Sequence, residues 1–278
     1  MRFPDWIIYA LAIGAIWFVF WAATPRSDTT PALEDGAELG PLLPPPSAFD
    51  PEILVDVGPV TSGIGTAFAI HQDGWWLTAR HVVDGCDRVG IVVARDTAAE
   101  VRDRDIRIAR FADLALLRTT SAPVAMVLDQ SDRKLRVGQR AFHVGFPQGR
   151  SGEAASRLIG RETLVTRGRY EFEQPVLAWA ETGRTGGLFG TLAGISGGPA
   201  IDSGGRVIGV TLAESSRRGR IYTASPSTVL QLLRVEHVRP EGELAAQWDD
   251  QNYGDQADRL RRVLAVAEVI CIENNPLT

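Results

Sequence analysis

Gly194-Ile195-Ser196-Gly197-Gly198-Pro199 decides the reading of this chain. It sets one serine between glycines, which let a backbone turn tightly and approach a bound carbonyl closely. Amide N–H groups of such a turn can point at the oxygen that turns negative when an acyl group is attacked. A Ser-Gly-Gly run alone is also ordinary loop chemistry. Two upstream segments change its weight: Leu77-Thr78-Ala79-Arg80-His81-Val82-Val83 and Ala112-Asp113-Leu114-Ala115-Leu116-Leu117. A serine hydroxyl is a poor nucleophile at neutral pH and needs a base within hydrogen-bond reach. His81 suits that role because imidazole titrates near neutrality, and Asp113 would hold its tautomer. Asp103 and Asp105 are rivals for the third place; Asp113 is preferred because an apolar run follows it directly. The backbone N–H groups of Gly194 and Ser196 would form an oxyanion hole.

Outward from these residues the chain reads as short strands. Gly65–Ile70 runs through the turn His71-Gln72-Asp73-Gly74 into Trp75–Thr78, and Asp-Gly between two apolar runs signals a hairpin. Further strands are expected at Arg88–Ala94, Ile106–Ala109 and Leu114–Arg118. After a polar bridge, a second set follows at Val137–Phe146, Leu158–Arg167, Val176–Glu181, Gly198–Asp202, Arg206–Leu212 and Arg220–Ala224. The 28 glycines and 16 prolines suit an all-β body with many turns. Beyond Ser227 the pattern becomes helical: Leu260, Val263, Leu264, Ala267, Ile270 and Cys271 are spaced for one face of a helix that docks on the β body. Beyond residue 238 about forty residues remain, too few for a further ligand-binding domain of usual size.

The N-terminus is different. Trp6 to Ala23 is uncharged, and its 18 residues suffice for a membrane-spanning helix. A cleaved signal peptide is the alternative, although Trp21-Ala22-Ala23 and Ala22-Ala23-Thr24 are imperfect cleavage sites. Tryptophans 6, 17 and 21 suit interfacial anchoring. Arg2 before the span and Asp28, Glu34, Asp35 and Glu38 after it favour a cytoplasmic N-terminus and an exported body. Residues 24–52 hold seven of the prolines without apolar periodicity, so a disordered tether is expected. A net charge of −5 gives no electrostatic case for nucleic acid.

With those residues on the page, the chain resembles the trypsin-like serine peptidases, and within them the HtrA-type bacterial branch. Four segments carry the likeness: GTAFAIHQDGWWLTARHVV, FADLALLRT, LDQSDRKLRVGQRAFHVGFPQG and GISGGPAIDSGGRVIGVTLA, spanning residues 65–213. The third contains no candidate catalytic residue, which makes the combined match specific. The resemblance implies two six-stranded antiparallel β-barrels, at 56–118 and 137–226, within a protease domain of 53–238. A membrane anchor or signal (1–23), the linker (24–52) and a helical extension (239–278) would flank it, with no PDZ domain. It also implies an exported endopeptidase held at the bacterial inner membrane, acting on polypeptides in quality control or regulated processing. By the family's register the primary pocket would be walled by Gly190, Thr191, Leu192, Leu212, Ala213, Glu214 and Ala224, with Glu214 at the rim. Such a pocket would favour small or medium apolar side chains, and substrate would add as a strand along Thr211–Ala213. Four features depart from the pattern: the expected lack of a PDZ domain after the protease, Arg80 before the histidine, Ile195 before the serine, and a long glycine-rich stretch at Gly183–Ala193.

Other readings stay open. The altered loop leaves room for a protease-shaped protein that binds without cleaving. Gly194-Ile-Ser-Gly-Gly198 also fits the elbow of α/β-hydrolases, which would need an acid and then a histidine after the serine, and only His237 follows it. His71 is expected in a solvated turn and His143 in the core or at its rim. No cluster has metal-ligand spacing, so neither metal nor cofactor is expected. Cys86 and Cys271 are the only cysteines. In an exported protein they suggest one disulfide, tying the C-terminal helix to the first barrel; two buried thiols are the alternative.

Overall fold

The computed structural model describes residues 40–273. The expected membrane segment and most of the tether lie outside them. Among the described residues, no helix is long and apolar enough to cross a membrane.

The chain runs β1 (Glu52–Val57), β2 (Gly63–His71), β3 (Trp75–Thr78), α1 (Arg80–Val83), β4 (Arg88–Ala94), β5 (Thr97–Val101), β6 (Ile106–Ile108) and β7 (Ala115–Arg118). It continues through β8 (Arg140–Gly145), β9 (Gly152–Gly168), β10 (Phe172–Arg184), β11 (Pro199–Ile201), β12 (Val207–Ser215) and β13 (Arg220–Ala224). The last elements are α2 (Pro226–Val235), α3 (Tyr253–Arg262) and β14 (Val266–Ile272). The strands form two seven-stranded sheets, ordered β5-β4-β14-β2-β3-β7-β6 and β1-β9-β10-β13-β12-β11-β8. In the second sheet an added β9–β8 pairing closes six strands into a ring, and β1 lies outside it, parallel to β9.

The expected hairpin is present: β2 and β3 pair with Phe68 opposite Leu77, and Gly74 turns at φ 86°. Ala67, Phe68, Ala69 and Ile70 are all fully buried. The same core takes Leu77 and Leu114–Leu117, and this burial is the main favourable term in holding the sheet together.

Three expectations need correction. The first sheet has seven strands, not six: six come from residues 63–118, and the seventh is β14, from the far end of the chain. The expected C-terminal helix therefore ends early. α3 stops at Arg262, Leu264 turns the chain with φ 53°, and residues 266–272 are extended. Apolar residues at Val266, Val269, Ile270 and Ile272 satisfy a helical spacing on paper, but they are β-branched and prefer a pleated surface. A slot between β4 and β2, which are not paired with each other, takes them: Val269 lies between Ile91 and Gly65. The disulfide joins Cys86 to Cys271, with Cα atoms 5.5 Å apart, so it ties a strand, not a helix, to the segment after α1.

The third correction concerns the tether. Its last part, residues 40–51, lies on the second sheet: Leu43 N donates to Leu135 O at 2.8 Å and Arg161 Nε to Pro44 O at 2.7 Å. Leu43 itself is buried in that sheet's core with Leu135 and Leu158. Prolines do not prevent this, because the contacts use carbonyls and the N–H of Leu43, which is not a proline.

Candidate active site

Ser196 sits in the loop between β10 and β11. Gly194 (φ 101°) and Gly197 (φ 86°) hold left-handed backbone there. A Cβ on Gly194 would lie 2.4 Å from Phe146 O, and one on Gly197 2.1 Å from Thr66 O, so a side chain fits neither place. Thr66, fully buried on β2, ties this loop to the first sheet. Its N–H donates to Ser196 O and its hydroxyl to Gly194 O, both at 2.8 Å. Ile195 buries its side chain in the second core, with Leu192 and Trp179. That packing accounts for an apolar residue ahead of the serine.

The peptide between Ala193 and Gly194 has a fixed direction. Ala193 O accepts from Gln148 N at 2.6 Å, and among the described residues no peptide bond is cis. In a trans peptide the N–H opposes the carbonyl, so Gly194 N–H points away from Gln148. Neither Gly194 N nor Ser196 N donates a hydrogen bond among the described residues. Gln148 carries a left-handed backbone (φ 55°) and sends its side-chain amide to Phe189 O at 2.7 Å and Thr191 O at 2.8 Å. Across the loop, the Glu214 carboxylate accepts from Leu192 N at 2.7 Å and from the Thr191 hydroxyl. Arg184, paired with Glu181, donates to Gly190 O at 2.9 Å. The glycine-rich stretch is thus held by three side chains.

His81 lies on the single turn α1, and Asp113 just before β7. His81 Nδ1 meets Asp113 Oδ2 at 2.7 Å, and the backbone N–H of His81 donates to Oδ1 at 2.9 Å. With Nδ1 occupied, Nε2 is the atom left for a proton. Burial disfavours the charged imidazole, but the Asp113 carboxylate outweighs it and raises the His81 pKa above its ordinary value of 6.5. Burial likewise works against the Asp113 charge, and His81 and the Tyr170 hydroxyl overcome it, so that carboxyl titrates below its usual range. The Ser196 hydroxyl points to Leu212 O at 3.5 Å, and among the described residues it has no bond to His81.

Residues from the β9–β10 hairpin complete the surroundings of Asp113, and sequence reading missed them. Tyr170 Oη donates to Asp113 Oδ1 at 3.3 Å, and Gln174 Oε1 accepts from Asp113 N at 2.8 Å. Burial and then the Asp113 charge push the Tyr170 pKa up, which keeps the hydroxyl protonated and donating. Arg80, the unusual residue before the histidine, lies over the Tyr170 ring at 3.9 Å and is tied to Asp84 at 2.8 Å. A lone large residue at that place was the only sequence signal for this cluster.

The residues expected around the primary pocket divide. Thr191, Leu192 and Glu214 come together through the bonds above. Leu192, Leu212, Thr211 and Ala224 are buried side chains of the cores. Gly190 and Ala213 are partly or fully exposed, close to the loop and to the free edge of β12. His143 is core: fully buried, it bonds Ser156 Oγ at 2.7 Å and Thr211 Oγ1 at 3.2 Å, and burial drops its pKa to about 3.

Residues 65–210 match the family described as a trypsin-like peptidase domain. The chain belongs to that family. Among curated proteins this trypsin-like peptidase is similar to a DegP-like periplasmic serine endoprotease of Marinomonas sp., 26% identical over 194 residues, covering 67% of this chain and 38% of that protein. A DegP-like counterpart from Brucella suis is 30% identical over 196 residues, covering 68% of this chain and 35% of that protein. The chain therefore spans little more than a third of the length of these relatives. Its fold is similar to that of the Rv3671c protease from M. tuberculosis in its active form, with 22% identity and a TM-score of 0.51, covering 64% of this chain and 76% of that one.

Proposed function

We propose that this trypsin-like peptidase is an exported, membrane-anchored endopeptidase that hydrolyses polypeptides with Ser196 as nucleophile. His81 takes the serine proton at Nε2 and returns it to the leaving amine, while Asp113 holds the ring and stabilises the imidazolium. The hydroxyl must first turn from Leu212 O to His81. Gly194 N–H and Ser196 N–H receive the oxyanion, since the trans peptide held by Gln148 leaves the former directed and unpaired. The observation that carries this reading is the 2.7 Å contact of His81 with a buried Asp113. Substrate adds along β12 at Thr211–Ala213, with a small or medium apolar residue at the cleaved position. The names of the periplasmic relatives, together with the uncharged run Trp6–Ala23, support placement in the cell envelope.

A reading in which the protein binds without cleaving has one observation in its favour, the serine hydroxyl resting on Leu212 O. Fluorophosphonate labelling separates the two, because only an activated serine reacts. Wild type should label at Ser196 and digest casein. Ser196→Ala should do neither and melt within a degree or two of wild type. Casein digestion that survives Ser196→Ala would remove the assignment.

A further inference from the structure

A groove of about 580 Å³ opens beside the candidate site, between the edge strand β1 and the end of β12. Glu52, Leu54 and Val55 line one wall. Glu214, Ser215, Arg217 and Arg218 line the other. Its size is that of a ligand cleft, and its position extends the serine's own neighbourhood. Ser196 touches Leu212, and the groove begins one residue further along β12.

We propose that this groove holds the acyl-side arm of the substrate and selects an acidic side chain at its fourth or fifth residue. The proposal rests on the peptidase reading above and names its substrate class. β12 pairs with β13 through Ser215, but its pairing with β11 ends at Val210, so residues 212–215 present a free edge. The sheet is antiparallel here, and an added antiparallel strand runs toward Ser196. The residues before the cleaved bond then occupy the groove, each stepping about 3.4 Å along it. With the cleaved residue beside Leu212, the third lies by Glu214 and the fourth by Ser215. The fifth reaches the turn that carries Arg217 and Arg218.

Two acids, Glu52 and Glu214, share the groove's lining with these arginines, and neither forms an ion pair with them among the described residues. Both arginines are exposed, and among the described residues neither forms an ion pair or a hydrogen bond. Glu214, the acid nearest them on β12, has its carboxylate committed to Thr191 and Leu192. Two guanidinium groups at a groove's end match a carboxylate in shape and charge. On the opposite wall, β1 pairs with β9 alone among the described residues, and Leu54 is 55% exposed, which offers apolar cover to the arm.

The test digests a library of denatured peptides with the full chain and reads the residues on either side of each cut. Asp and Glu should be enriched about fivefold over Lys and Arg at the fourth and fifth positions before the bond. The double variant Arg217→Glu, Arg218→Glu, whose sites are on the surface, should reverse that preference. Cleavage with a flat charge profile, or one that the double variant leaves unchanged, overturns the groove assignment alone. No cleavage together with no fluorophosphonate labelling of Ser196 overturns the peptidase reading and the groove with it.

Discussion

At His81 two opposing forces meet on one ring. Burial alone would make the imidazole hard to protonate, and the Asp113 carboxylate 2.7 Å away reverses this. A general base works only when neutral, so kcat/KM should fall as pH drops through the His81 pKa, with its acid limb above 6.5. Asp113→Asn removes the force that raises the pKa and leaves burial, so the limb should move below 6.5 as the rate falls by on the order of 10⁴. A pH–rate profile of both proteins checks this; a limb that stays in place after Asp113→Asn contradicts the pairing. The contact of His81 with Asp113 was legible in the sequence because each lies in a short motif of its own, as does Ser196, the nucleophile we propose. Thr66 and Gln148 were not. Their roles depend on bonds to Gly194 and Ala193, reached across 128 and 45 residues of chain, which no local pattern records.

Elements show a similar contrast. The strands of the β2–β3 hairpin and of the second set were readable from alternation and turn residues, with edges displaced by a few positions. The lengths of β9 (17 residues) and β10 (13 residues) were not, although length is what lets their hairpin deliver Tyr170 to Asp113. Tyr170→Phe keeps the ring under Arg80 and removes one hydrogen bond to the carboxylate. The expected result is a kcat lowered about three- to tenfold with KM unchanged, since one such bond contributes about 0.5–1.5 kcal/mol. A rise in KM with kcat intact would place Tyr170 in binding instead. β14 was misread because Val266–Ile272 satisfies both periods over so short a run. What decided between them was a vacancy in a sheet built some 200 residues earlier.

At the scale of the whole molecule, an ion pair fastens α3 to the second sheet. Arg261 of α3 meets Glu153 at the start of β9 at 2.6 Å and also donates to Gly145 O and Gly152 O. Both side chains are at most 8% exposed, so removing Arg261 leaves the Glu153 charge buried without its partner, whereas removing Glu153 leaves Arg261 its second partner, the more exposed Asp258 at 2.9 Å. Arg261→Ala should cost about 3–5 kcal/mol in denaturant unfolding, and Glu153→Ala less, because Arg261 keeps Asp258. The double variant should cost clearly less than the sum, because it leaves no orphan. Additive losses would argue against the pair. The overall class was legible from glycine, proline and strand patterning. The fastening was not, since Arg261 reads as one more charge on a solvated helix face until the partner sheet is in view.

The place of β14 sets an order of events in biosynthesis. The six earlier strands of its sheet leave the ribosome first, with Ala67 and Ile91 on either side of a gap that only Val266–Ile272 fills. The whole second sheet is made before that gap can close, and 185 residues separate the two cysteines that then seal it. During that interval the nascent chain carries an incomplete sheet with unpaired edges and uncovered apolar side chains, the kind of surface that attracts chaperones and misassociates. The first sheet therefore closes backward along the chain, and only after the second sheet has been made.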